Sequence, residues 1–564
     1  MSSEQDAGGL TRRPARNPST FLPILGWAPR YRVGRDLRPD LVAGIALAAL
    51  LIPESIGYAG IAGVPPEVGL YAAIAAVAVY ALTGGTSILV VGPASAVAAL
   101  SASLVAELAS DGADPVALTA ALAVSSGLLL LLAGLLRLGW IVNFISRPVL
   151  HAFVAGLSLS IIIGQLDDLL GVEIDAESAV VRAGQVVARV GQWDPATVVL
   201  GVLALGLLVG LERWAARVPG ALVVVVGAIA AVWAFGLDDG TIAVLGSIPQ
   251  GLPAPALPGI DVRTWLEVTV AGAALVLVGF SEGYAAASAV SDSTGEKVDG
   301  DQELVGAGAA NVAAGLFGGQ AVSGSLTKSA ASQAAGARTQ VANLSAGAIL
   351  VLTLVVLAPV FELLPEAVVS AVVIAAVLPA AKPSRVLDLW SVNRLDFAAG
   401  LTTYVLVLVW ETLPAMIVGV ALSLVFLVRR ASFPDVVEVR RSEDGTFREV
   451  EDDAPALTHP DVAVVRFEAS LVYANADRLV RAVDTLLEER SLLRRVVLDA
   501  EMIADLDSTG AEALLALDGR LAERGVELRL ARIHRRARGQ LERSGLAARF
   551  EGRIHPHVVA ATLD

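Results

Sequence analysis

The chain reads as an all-α polytopic membrane protein of fourteen spans, arranged as two inverted seven-span repeats and followed by a small cytoplasmic α/β domain. Three observations carry this reading. Of the 564 residues 55% are hydrophobic and only 17% charged, against about 25% charged in ordinary soluble domains; the mean hydropathy is +0.68. Apolar runs long enough to cross a bilayer recur from about residue 40 to 430. Basic residues gather in alternate connections between those runs.

The runs lie near 40–60, 67–83, 88–108, 115–137, 149–169, 196–213, 219–236, 264–290, 302–317, 320–336, 342–361, 365–381, 397–412 and 414–430. Before the first come Arg12, Arg13, Arg16, Arg30, Arg32, Arg35 and Arg38, so the positive-inside rule puts the N-terminus in the cytoplasm. Basic residues then follow the even-numbered spans: Arg137 and Arg147, Arg213 and Arg217, Lys297, Arg338, Lys382 with Arg385 and Arg394, then Arg429 and Arg430. The opposite connections are acidic or small, as in SDGADP, Asp167-Asp168, and Glu362 with Glu366; Arg182, Arg189 and Arg263 run against the bias without reversing it. The expected division is a cytoplasmic segment 1–38, a membrane domain 39–432, a linker 433–457 and an α/β domain 458–564. In the last, VAVVRFEASLVYANA reads as two short strands, and helix and strand patterns then alternate.

Composition excludes several functions. The net charge of −15 argues against nucleic acid, and the absence of cysteine removes thiolate chemistry and Cys-based metal sites. Five histidines show no ligand spacing. No cofactor, no metal and no enzyme activity are expected. The polar N-terminus has no apolar signal-peptide core.

Two spans are broken. Span three opens SILVVGPASAVAAL, and span ten opens GGQAVSGSLTKSAAS. Each reads as an extended stretch followed by a half-helix that begins inside the membrane. Such a start presents free N–H groups and a positive dipole end, which attract an anion. Paired broken helices in corresponding positions mark substrate sites in secondary transporters, and these two are seven spans apart. Lys328, one of only three lysines, falls one turn into the second half-helix. It complements a bound anion, snorkels to an interface, or pairs with a nearby carboxylate.

IPESIGYAGIAGVPPEVGLYAA, GPASA, RPVLHAFVAG, QELVGAGAANVAAGLFGG, the VSGSLTKSA segment and the terminal α/β domain together resemble the SulP family of anion transporters, the sulfate permeases, which end in a STAS domain. The resemblance runs from about Asp36 to Asp564. It implies a core domain moving against a gate domain by alternating access, and a homodimer in the inner (plasma) membrane. The pocket it implies comprises Pro53, Glu54 and Tyr58, then Pro93, Ala94 and Ser95, then Ser325, Leu326, Thr327 and Lys328. Two residues depart from the family pattern: many relatives are neutral where this chain has Glu54, and commonly carry arginine where it has Lys328. Lysine cannot make the planar two-pronged grip of a guanidinium.

Pro53 is expected to break or kink the first span beside the cavity. An ionised Glu54 there repels an anion, so it is protonated, paired with Lys328, or a proton acceptor. Glu282, deep in span eight, is the second embedded acid. In the family a carboxylate of this span is associated with coupling to protons or sodium, and the alternative is a structural hydrogen bond. Asp507-Ser508-Thr509-Gly510 matches the turn that is phosphorylated in the bacterial regulators STAS domains resemble, or it simply caps the next helix. The expected function is transport of a small anion, sulfate before dicarboxylate or bicarbonate, by proton symport (sodium less favoured) or exchange. An uncoupled anion channel and a transporter-like sensor signalling through the STAS domain are the readings from other classes.

Overall fold

In the computed structural model the described residues are 22–109, 113–140, 146–174, 176, 178–215, 219–237, 242–410, 412–441, 447–449 and 461–563. Arg12, Arg13, Arg16, the acidic turn at 110–112, Arg217 and residues 450–460 lie outside them. The chain divides into two compact units, Met1–Ser423 and Leu424–Asp564.

The first unit is helical. In order come α1 (Val33–Ile61), α2 (Pro66–Thr83), the short strand β1 (Val90–Gly92), α3 (Ser95–Leu108), α4 (Pro115–Leu135), α5 (Arg147–Gly164), α6 (Ala179–Ala188), α7 (Pro195–Trp214) and α8 (Gly220–Phe235). Then follow α9 (Val262–Thr294), α10 (Gly300–Leu316), strand β2 (Ser323–Ser325), α11 (Leu326–Ala334), α12 (Val341–Leu352), α13 (Glu366–Val377), α14 (Arg394–Val409) and α15 (Thr412–Ser432). Among the described residues, eight helices are long and apolar enough to cross a membrane, and α3, α6, α8 and α13 are shorter apolar helices. Local chemistry explains the starts. Asp114, Ser146, Asp194, Asp261, Asp299 and Asn393 each accept a hydrogen bond from a first-turn N–H, and proline occupies the first turn of α4, α5 and α7. All eight tryptophans lie in the end turns of helices or in connections: Trp27, Trp140, Trp193, Trp214, Trp233, Trp265, Trp390 and Trp410.

Two expectations are corrected here. Pro53 does not break its span, because α1 continues through both Pro39 and Pro53 to Ile61; neighbouring groups in a packed bundle make an internal proline tolerable. The segment 433–457, read as a linker, supplies two strands instead.

Those strands belong to the second unit, a sheet of β3 (Val436–Arg441), β4 (Phe447–Glu449), β5 (Val462–Phe467), β6 (Arg495–Asp499), β7 (Glu527–Ala531) and β8 (Ile554–His555) in the order β4-β3-β5-β6-β7-β8. β5 to β8 run parallel, with Val462 opposite Arg495 and Arg495 opposite Glu527, whereas β3 pairs antiparallel with β5 through Val436 and Phe467. The helices are α16 (Ala476–Glu489), α17 (Ser508–Glu523), α18 (Arg535–Arg543) and α19 (Val558–Thr562). The expected second strand in VAVVRFEASLVYANA reduces to one bridge between Leu471 and Leu506. Fully buried Asp499 binds Arg466 and Arg532, and that anchor holds Arg532 at a φ of 56°, a conformation few non-glycine residues adopt.

Helices α4 and α10 touch backbone to backbone through small residues. A Cβ at Gly315 would lie 2.4 Å from the Ala120 carbonyl oxygen, and one at Gly308 would lie 2.7 Å from the Leu131 nitrogen. Gly315→Val therefore abolishes folded protein, read as loss of the monodisperse peak in detergent size exclusion, while Ala313→Val, on a half-buried position of the same helix, keeps it.

In the second unit burial works against ionisation of Asp518, but hydrogen bonds from Arg553 and Arg549 hold its carboxyl below the ordinary carboxylate range. A depressed folded value stabilises above the unfolded pKa of about 3.9 and is lost as the pH falls through the folded one. Asp518→Asn should cost about 2–3 kcal/mol at neutral pH. The gap from wild type should close below about pH 4, as read by urea titrations of Leu424–Asp564.

Candidate functional site

The site forms where two short helices begin, each just after an extended strand. Helices α3 and α11 are 14 and 9 residues long, about 21 and 14 Å at 1.5 Å per residue, too short for a hydrocarbon core of about 30 Å. Extended backbone supplies the rest. β1 and β2 pair antiparallel, with Val90 opposite Ser325, Val91 opposite Gly324 and Gly92 opposite Ser323. The two helix starts thus face the same spot from opposite directions.

Extended backbone at this depth survives only if its polar groups find partners, and side chains from neighbouring helices provide them. The Val90 N–H donates to Ser329 Oγ at 2.9 Å. The Leu89 carbonyl accepts from Asn343 Nδ2 at 2.8 Å and Gln340 Nε2 at 3.2 Å, and Gln340 also donates to the Thr86 carbonyl at 2.7 Å. Asn311 meets both the N–H and the carbonyl of Val322, each at 2.9 Å. Buried Glu303 accepts from Tyr80 Oη and Thr86 Oγ1, both at 2.6 Å. The sequence reading missed these residues. Their signal was a polar side chain embedded in a small-residue helix, as in QELVGAGAANVAAGLFGG.

Lys328 ties the elements together. Its Nζ lies 2.8 Å from Glu54 Oε2, donates to the Pro93 carbonyl at 2.7 Å, and sits 4.9 Å from the centre of the Tyr58 ring. The lysine side chain is 1% exposed and the glutamate 7%. Glu54 and Tyr58 stand one turn apart on α1, so one helix face supplies both. Ala94, with extended backbone, is the N-cap of α3, and Ser95 is its first residue. Ser325 caps α11 by accepting from the Lys328 N–H at 3.4 Å, and its hydroxyl meets that of Thr327 at 3.1 Å. Leu326 begins α11 and is 53% exposed. Glu282 stands beside the cluster: its carboxylate accepts from Ser323 Oγ at 3.1 Å, and Ser323 belongs to β2.

A cavity of about 520 Å³ reaches this cluster and is lined by Glu54, Thr327, Leu208, Glu212, Ala331 and Val372 among others. Lys328 stands behind Glu54. The arrangement places one buried cation, a carboxylate already bound to it, and two helix N-termini around one point, with open space leading in. An anion arriving there competes with Glu54 for the ammonium.

Ser508 and Thr509 belong to the second unit, exposed in the first turn of α17, where Asp507 accepts from the Gly510 N–H at 2.8 Å.

The family model of the sulfate permease family matches residues 37–403, and that of the STAS domain matches 453–561. A probable sulfate transporter of Mycobacterium tuberculosis, strain H37Rv, is 34% identical over 529 residues, covering 92% of this chain and 94% of the relative. The chloroplastic sulfate transporter 4.1 of Arabidopsis thaliana is 29% identical, covering 93% of this chain and 80% of its own. Among solved structures, the murine solute carrier 26 family member A9 in the inward-facing state superposes with a TM-score of 0.89 at 21% identity, covering 99% and 96% of the two chains. The transmembrane domain of a cyanobacterium bicarbonate transporter gives 0.60 at 24% identity, over 69% of this chain and 97% of that one. With the family model matched over most of the chain and the fold shared along nearly all of it, this protein belongs to the sulfate permease family and carries a C-terminal STAS domain.

Proposed function

We propose that the protein moves a small anion, sulfate foremost, across the inner (plasma) membrane by alternating access, with fourteen crossings in two inverted seven-span halves and both termini in the cytoplasm. The observation that carries this reading is the ammonium of Lys328 held between two half-helix starts with Glu54 as its present counter-ion. Family membership supports anion transport, and the relatives named for sulfate support the substrate. Core elements rocking against gate elements, and pairing of two protomers, complete the proposal.

Coupling follows from charge balance. With Glu54 ionised, the lysine is neutralised and the site has little affinity for an anion. An anion that takes Lys328 displaces Glu54 from it, and Glu282, whose carboxylate accepts from Ser323 in β2, carries the proton that enters with the anion and offsets part of its charge. Dicarboxylate and bicarbonate meet the same dipoles and the same lysine, so an uptake panel of labelled sulfate, fumarate and bicarbonate in proteoliposomes decides among them.

Lys328→Ala should weaken anion binding about 100-fold, the loss of a partly desolvated ion contact. It also strands a buried carboxylate, at about 3–5 kcal/mol. Adding Glu54→Gln should restore thermal stability in detergent without restoring affinity; a double variant no more stable than the single one means the pair is not coupled. Glu282→Gln should still bind and exchange anion but no longer accumulate it under an inward pH gradient. Retention of the pH-driven component would move that role to Glu54.

A further inference from the structure

The cavity that leads to the ion pair has an unexpected charge. Among the described residues lining it, only Glu54 and Glu212 are charged, and the rest are mostly alanine, leucine, valine and proline. Glu54 is paired with Lys328, which leaves Glu212 as the unpaired charge among the described lining residues. It lies two residues before the end of α7, where the helix dipole is itself negative. Arg213, next in sequence, is not among the lining residues, nor are Arg338 and Lys382, although α11 and α13 point toward them. Between apolar walls a charge focuses its field into the open volume, and among the described lining residues the unpaired charge there is the carboxylate of Glu212.

We propose that Glu212 is a release residue: its charge lowers the affinity for anion on the cavity side, which the positive-inside pattern makes the cytoplasmic side. The assignment rests on the transport reading above. Walls of alanine and valine keep the dielectric response low, so the carboxylate acts on an anion in the cavity more strongly than it would in open water. An anion leaving the half-helix starts meets Glu54 returning to Lys328 behind it and Glu212 ahead, and is expelled rather than retained. Glu212 cannot alter the final gradient, which the driving ions fix; it alters the concentration at which the cytoplasmic side saturates, and hence resistance to product inhibition. The repulsion scales with the valence of the cargo, so the factor for a divalent anion is the square of that for a monovalent one.

The test uses full-length protein in proteoliposomes, with orientation scored by protease access to the STAS domain. Influx and efflux KM are measured for sulfate and for a monovalent anion that the protein carries, at low and high concentrations of an inert salt. Glu212→Gln should lower the KM on the STAS side about threefold for the monovalent anion and about ninefold for sulfate. The KM on the opposite side should stay put, and the differences should shrink in high salt. Glu212→Asp, which keeps the charge, should resemble wild type. Equal factors for both valences, a salt-independent effect, a change confined to the other side, or no change at all overturns the assignment. A wild-type protein that carries no anion overturns the transport reading and this assignment with it, whereas wild-type transport with an unmoved KM removes this assignment alone.

Discussion

A polypeptide that stops being helical inside a bilayer must still satisfy its backbone, because no water is there to do it. The rest of the membrane unit depends on that constraint. β1 and β2 are three residues each, far too little sheet to stand alone, and they persist because Ser329, Asn311, Gln340 and Asn343 complete their hydrogen bonds and those of the flanking residues. These polar side chains are tolerated in turn because small residues let the helices carrying them approach closely. Gly308 and Gly315 on α10, beside Gly127 on α4, leave no space for a Cβ. Close packing, buried amides and broken helices are thus one solution to one problem, and its product is a pair of helix N-termini aimed at a single point.

The buried ion pair answers the next problem. Two helix dipole ends and an ammonium concentrate positive potential in a site with little water, and without an anion that charge costs free energy. Glu54 supplies the counter-charge from α1 at 2.8 Å. A pair of this kind contributes little net stability, yet breaking it by removing one partner is expensive. With Glu54 on Lys328 the site is charge-balanced as it stands.

The C-terminal unit shows a different economy. Its sheet is tied by Asp499 with Arg466 and Arg532 at strand ends, and helix α17 is tied through Asp518 to Arg549 and Arg553 just before β8, around an apolar core. β3 comes from a segment rich in charge because its alternate residues lie on a half-buried strand beside β5.

The sequence by itself determined the spans, the alternation of basic connections, the two broken helices and the rarity of lysine within the membrane. Each of these is a property of a short window: hydropathy over twenty residues, a Gly-Pro step, a Ser-Gly-Ser run. Lys328, Glu54 and Pro93 could be named as neighbours of a site, but only the tertiary structure shows the ammonium on Glu54, since the 2.8 Å contact joins residues 274 positions apart. It also decided that α1 runs through Pro53, because freed backbone groups are re-satisfied by neighbours that the local sequence does not name. The roles of Asn343 and Gln340 were unreadable for the same reason, since a buried amide looks alike in any helix until its acceptor is known. Glu212 is the clearest case: an acid beside an arginine at a span end reads as ordinary interface, and only the folding of α1, α7, α11 and α13 around one cavity puts it on that cavity's wall.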